Sequence, residues 1–168
     1  MATGLLSKKS IFRIQISDVI FYRWLLKIGL TPRKSLTLKS LHIPDKYFAD
    51  FLRGHLDGDG SIIQYTETYL VKYNPSYIYD RLFIYLLSGS VSHILWLRKK
   101  IEKLKNIRGS QDKLQSKLQR GSNAVYRLKY STKEAKILLN WIYYRFGLPC
   151  LERKFKIAKP YIRYGLEK

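Results

Sequence analysis

From residue 45 onward the hydrophobic period of the chain switches between helix and strand in a fixed order, and that order leaves few folds open. Pro44 and Asp45 open a helix over about 45–58, in which Phe48, Phe51, Leu52 and Leu56 recur at helical spacing. From Ser61 to Tyr73 the Ile, Tyr, Thr and Val residues suit a strand, and a turn containing Pro75 leads into a second one, RLFIYLLSG. A helix follows over about 91–105. KLQSKLQR and AVYRLKYS read as two further strands, with Gly121, Ser122 and Asn123 as the hairpin turn between them. Thr132 caps a last long helix, KEAKILLNWIYYRF, which Gly147 and Pro149 end. The spacing therefore predicts an α+β unit of order αββαββα, with helices on one face of a four-stranded antiparallel sheet. The other face of the sheet must then meet something else.

Ahead of this unit, FRIQI at 12–16 alternates as a strand does, and Ser17 with Asp18 offers an N-cap for a helix through about Ile28, stopped by Gly29. GLTPRK and a second extended piece, SLTLKSLHI, complete the segment. Strand, Ser-led helix, Gly-Leu stop, Pro and Arg-Lys in residues 12–34 parallel the same succession in 126–154. Residues 1–44 thus read as a strand–helix N-terminal extension resembling the closing part of a preceding repeat, and 45–168 as the domain itself.

Charge narrows the partner. Thirty-two Lys and Arg against twelve Asp and Glu give a net charge of +20, a self-repulsion that a polyanion would relieve. Nucleic acid comes first, ahead of a ribosome-type structural role, an anionic membrane surface or solubility alone, because charge and aromatic residues occur together. With 46% hydrophobic residues the chain is not generally disordered. The single cysteine, Cys150, makes no internal disulfide and has no partners at zinc spacing. No run reaches the roughly 20 apolar residues of a membrane span, and the N-terminal apolar run is too short for a signal peptide. A soluble intracellular protein is expected, with bacterial cytoplasm, organelle and nucleus all open as compartments.

Against that basic background, YFADFLRGHLDGDGSII at 47–63 sets Asp57 and Asp59 at the end of a helix. A helix C-terminus carries partial negative charge and disfavours each carboxylate there by roughly 0.3–1 kcal/mol. A hard divalent cation would compensate, taking carboxylate and carbonyl oxygens where Gly58 and Gly60 leave the backbone accessible. Two solvated aspartates in a Gly-rich turn are the plain alternative. An EF-hand calcium loop does not fit, since its twelfth residue, counted from Asp57, is Thr68 rather than a glutamate. Gly54 and Gly58, four apart on one helical face, would let a second helix approach closely.

LRGHLDGDG at 52–60 resembles the motif after which the LAGLIDADG family of homing endonucleases is named. The flanks agree, and so does the αββαββα order over 45–156. The resemblance implies a saddle-shaped sheet lying along the DNA major groove, two motif helices packed at the centre, and magnesium- or other divalent-cation-dependent cleavage of both strands at their ends. By that resemblance Asp59 is the metal-binding catalytic carboxylate and Gly58 supplies a backbone carbonyl to the same ion. Asp57 caps the partner helix, and Gly54 and Gly58 form the packing surface. Lys154, in LERKFK, matches the basic residue that polarises the site or positions water, and Lys34, in TPRKS, is its equivalent in the preceding repeat. The chain departs from the family at Arg53, where a small residue is usual, and at SGSVSH, where Ser88, Ser90 or His93 stand in for a polar or basic group.

For DNA contacts, alternation from Ser61 sets Ser61, Ile63, Tyr65, Glu67 and Tyr69 on one face and Gln64, Thr66, Thr68 and Lys72 on the other. The family's register favours the first set, while hydrogen-bonding chemistry favours the second. Lys113, Gln115, Lys117 and Gln119 alternate with leucines, as Arg127 and Lys129 do, which predicts one exposed basic face. The expected function is a site-specific, homing-type DNA endonuclease acting on double-stranded DNA. One copy supplies one Asp59, so a double-strand cut needs a homodimer or a second LAGLIDADG half. The alternative is a non-cleaving nucleic-acid-binding protein on the same scaffold, an intron RNA maturase or a transcription regulator.

Overall fold

Along the two central strands Leu82, Ile84 and Leu86, and Leu128 and Tyr130, are buried at every second position, and this alternation decides which way the sheet faces. The computed structural model describes residues 15–69, 72, 76, 78–114 and 124–164. Its elements are α1 (Val19–Lys27), α2 (Phe48–Asp59, entered through a 3-10 turn at Asp45–Tyr47), β1 (Ser61–Glu67), β2 (Tyr79–Ser88), α3 (Val91–Lys105), β3 (Ser110–Leu114), β4 (Val125–Ser131), α4 (Thr132–Ile142) and α5 (Glu152–Ala158). The four strands form one antiparallel sheet in the order β1-β2-β4-β3. From residue 45 the order is αββαββα, as the hydrophobic pattern predicts, with α5 added.

Cross-strand register sets Ile62 opposite Ile84, Ile84 opposite Tyr130 and Leu86 opposite Leu128. Those side chains and Leu82 form the buried, mainly apolar centre of one sheet face. Against it lie Phe48, Leu52 and Leu56 of α2, Ile94, Leu97 and Ile101 of α3, and Leu138, Leu139 and Ile142 of α4. The helices bury the same periodic stripe that makes them recognisable as helices. Ser90 caps α3 by accepting from the His93 amide at 3.4 Å, and Asn106, in the left-handed region at φ 52°, ends it. Gly60 is required where α2 turns into β1. A Cβ there would lie 2.7 Å from the Tyr85 carbonyl of β2.

Some elements differ from the sequence reading. α4 stops at Ile142 rather than near Phe146, because the Arg53 guanidinium takes the Ile142 carbonyl at 2.7 Å, an acceptor that a longer helix would give to its own next turn. Residues 35–43 form no strand. Turn bonds from the Thr37 and Leu38 amides to the Lys34 carbonyl close their start, and Ser90 and His93 take the carbonyls of Leu38 and Lys39. β3 begins at Ser110, ahead of the predicted strand, and β1 ends at Glu67. The expected N-terminal helix is α1, whereas Phe12, Arg13 and Ile14 of the strand before it, together with the Gly121–Asn123 and Pro75 turns, lie outside the described residues. No described helix is long and apolar enough to cross a membrane.

Candidate active site and nucleic-acid interface

Asp50, Arg53 and Asp57 follow one another three and four residues apart, so one stripe of α2 carries all three. Arg53 is buried and uses that position fully. Its guanidinium donates to the Pro149 carbonyl at 3.0 Å, the Ile142 carbonyl at 2.7 Å and Asp50 Oδ1 at 2.6 Å, and the Tyr144 hydroxyl donates to the same carboxylate at 3.0 Å. Asp57 Oδ2 accepts from the Leu151 amide at 2.9 Å, just ahead of α5. The motif's departure at Arg53 is therefore a clamp that holds the connection between α4 and α5. Asp57, expected to cap a partner helix, meets the α5 entry of its own chain through Oδ2, because its stripe of α2 faces that connection.

The clamped connection delivers Lys154. Its ammonium, 3% exposed, donates to the carbonyls of Leu56 at 2.6 Å, Asp57 at 2.8 Å and Gly60 at 2.6 Å, which uses all three of its N–H groups. Burial holds its pKa below the ordinary lysine range and Arg153 adds to that, while Asp57 and Asp59 act in the opposite sense. A fixed positive charge thus stands under the negative end of α2.

Asp59 closes α2 on its exposed side, and among the described residues its carboxylate has no hydrogen bond or ion pair. Gly54 and Gly58 are exposed too, and a Cβ built on either would meet nothing within 4 Å. A cleft of about 620 Å³ runs along this side, lined among others by Lys34, Leu38, Gly54, His55, Asp59 and His93. The extension therefore brings Lys34 to the cleft that holds Asp59. His93 donates through Nδ1 to the Lys39 carbonyl at 2.9 Å, and its ring lies 5.5 Å from that of His55. Burial, reinforced by His93, pushes His55 down to about 4 against a pull from Asp59. His93 is likewise lowered, chiefly by burial. Of the three residues considered for a polar supporting role, Ser88 accepts from the Ser90 amide at 3.1 Å and Ser90 donates to the Leu38 carbonyl at 2.5 Å. All three are bound up in holding the turn before α3 and the extension.

The sheet face away from the helices carries Ser61, Ile63, Tyr65 and Glu67 of β1, the first of the two sets read from the sequence. Tyr69 lies beyond the end of β1. Arg127 and Lys129 of β4 share this face, since Lys129 stands opposite Tyr85 in step with Ser61. Lys113 does not. It pairs with Tyr126, one residue out of phase with Arg127, and so stands on the helix side of the sheet, because the β3–β4 register gives the open face to Asp112 and Leu114. Gln115, Lys117 and Gln119 lie outside the described residues. The sequence reading left out Arg81, Phe83 and Tyr85 of β2, which complete the open face. Their signal was present in RLFIYLLSG, where they alternate with buried Leu82, Ile84 and Leu86.

Two solved structures are similar to the chain. Both are crystal structures of the homing endonuclease I-CvuI, one in complex with its target (Sro1.3) in the presence of 2 mM Ca, the other in complex with the I-CreI target (C1221) in the presence of 2 mM Mg, with the DNA not cleaved. Each is 20% identical over 68% of this chain and 63% of that one, with TM-scores of 0.45 and 0.44. The chain thus spans less than two thirds of their length. No family model matches the chain, and no curated protein does.

As a cation site, the end of α2 offers the Asp59 carboxylate and the Gly58 carbonyl, which is not among those taken by Lys154. These are oxygen donors of the kind magnesium accepts, and magnesium commonly keeps water and substrate phosphate for the rest of its shell. Among the described residues no three His, Cys, Asp or Glu side chains converge as a ready cage. The donor set fits magnesium rather than zinc.

Removing the clamp strands buried carbonyls and an aspartate. Arg53→Ala should therefore lower unfolding free energy by about 3–5 kcal/mol in urea titration, with Arg53→Lys recovering only part because an ammonium cannot span the three acceptors. The depressed value at His55 sets a pH response. A group whose folded pKa lies below its unfolded one contributes fully above 6.5, and that contribution is lost as pH falls through about 4. The loss should be on the order of 3 kcal/mol, and urea titrations across that window should show a flatter profile for His55→Gln.

Proposed function

We propose that the chain is a homing-type, site-specific DNA endonuclease that cuts both strands when two motif helices come together. The observation that carries this reading is the end of α2. An exposed carboxylate without a partner, Asp59, stands there beside a helix face left bare at Gly54 and Gly58. With Lys154 offsetting the negative end of α2, the open Asp59 carboxylate is an oxygen ligand available to a divalent cation that also meets phosphate.

In this reading the Asp59 carboxylate and the Gly58 carbonyl would be the residues that hold magnesium. The ion, when bound, supplies an activated water and neutralises charge on the leaving oxygen. Lys154 keeps the α2 terminus in place and offsets its negative end, so that two copies of Asp59 can approach each other. The bare Gly54 and Gly58 face lets the backbones of the two motif helices come close, the second helix belonging to another copy of the chain or to another half bearing the motif. The open sheet face lies in the major groove, which accommodates β-ribbons, and basic side chains hold the phosphates. Residues 1–44 act as an extension of domain 45–168 and present Lys34 to the same cleft.

Incubation with magnesium and a library of long duplexes tests the reading. The native protein should cut both strands at one site, and Asp59→Asn should keep binding while its cleavage rate falls by on the order of a hundredfold or more. Binding without any cut by the native protein would assign the chain to the non-cleaving class, a maturase or transcription regulator. The glycine face has its own test. Gly54→Ala and Gly58→Ala should each stabilise the isolated chain by about 0.5–1 kcal/mol, because the added methyl meets open space. The same variants should weaken self-association in analytical ultracentrifugation; unchanged association would mean that pairing uses another surface.

A further inference from the structure

We propose that the open sheet face selects its duplex through the C5-methyl groups of thymine, met in the major groove by Ile63, Tyr65, Phe83 and Tyr85. This rests on the DNA-binding reading above and adds the base that is recognised. Ile63 and Tyr65 are 43% and 47% exposed, and the Tyr65 and Phe83 rings, 6.0 Å apart, continue to Tyr85 a further 6.1 Å away. An apolar band thus crosses the centre of the β1–β2 pair.

The groups that ordinarily read other bases are scarce or engaged on this face. Guanine is read by Arg or Lys and adenine by Asn or Gln, and the lysine of this face, Lys129, is drawn over the Phe83 ring at 4.4 Å. Here Arg81 is paired to Glu67 and Arg127 to Asp112, and none of the face's described residues is Asn or Gln. The same ion pairs occupy the two carboxylates that could accept from cytosine. The hydroxyls of Ser61, Tyr65 and Tyr85 both donate and accept, so they discriminate poorly. What remains is apolar contact, and thymine alone among the bases presents a methyl in the major groove.

Stacking on unpaired bases is the competing use of an aromatic sheet face. It is disfavoured here because Lys129 Nζ stands over the Phe83 ring at 4.4 Å and the Arg127 guanidinium over Tyr85 at 4.8 Å. Those ring faces are covered, whereas Ile63 and Tyr65 stay open to the edges of base pairs and Phe83 and Tyr85 extend the band half-buried beside them.

The test changes the DNA rather than the protein. Duplexes recovered from a random pool by binding are resynthesised with deoxyuridine for thymidine, which removes the methyl and leaves base pairing intact. The recovered duplexes should be rich in A·T pairs at recurring positions. Uracil substitution should weaken binding about tenfold or more, since each buried methyl contributes a factor of about four. Tyr65→Ser and Phe83→Ser should narrow the ratio between thymine and uracil duplexes. Equal affinity for the two would overturn the inference while leaving DNA binding intact. Retention of no duplex, or displacement of duplex by single strands, would overturn both.

Discussion

The ammonium of Lys154 beneath the end of α2 is the contact on which the site depends. A buried charge is costly unless hydrogen-bonded, and three carbonyls at 2.6 to 2.8 Å satisfy it. The dependence runs both ways. α2 holds the entry to α5 through Asp57 and the end of α4 through Arg53, and α5 returns a cation to the end of α2. The acidic pair that looks unfavourable in the sequence divides accordingly: Asp57 is bound up in the fold, and Asp59 stands exposed, without a hydrogen bond or ion pair among the described residues.

The sheet distributes its two faces as sharply. One is sealed by α2, α3 and α4 and has no polar opening at its centre. The other combines aromatic rings, paired ions and a lysine. Twisted antiparallel sheets often leave one face to water, but an exposed Ile63 and Tyr65 beside half-buried Phe83 and Tyr85 are seldom placed centrally on such a face without a partner surface. The same register that buries Ile84 turns Phe83 and Tyr85 outward, so core and interface are consequences of one alternation.

Periodic features were legible in the sequence. α3 falls at its expected bounds, the first of the two alternating sets of β1 is the open one down to Glu67, and the helix carrying the nonamer ends where its aspartates suggest. What escaped were interactions with no periodicity. Arg53 looked like a simple departure from a motif because its acceptors are backbone carbonyls 89 and 96 residues away, and any residue type can supply those. α5 went unread because seven residues, ERKFKIA, are too few to establish a period and three of the first four are charged. The strand-like alternation at 35–43 lost to turn bonds and to side chains from α3, a tertiary override of local preference.

The seating of the N-terminal extension is lopsided. Between Ser35 and Lys39 what it offers to the domain is mostly main chain: the carbonyls of Leu38 and Lys39 accept from Ser90 and His93, and the Ser35 carbonyl lies where a side chain at Gly89 would intrude, 2.6 Å from a built Cβ. The receiving residues Gly89, Ser90 and His93 are chemically specific, whereas the donated groups belong to the peptide backbone and are the same for almost any sequence. Side chains along this stretch of the extension are therefore free to drift, and the fold would record such change in the charge and shape of the cleft beside Asp59 rather than in how the segment is held.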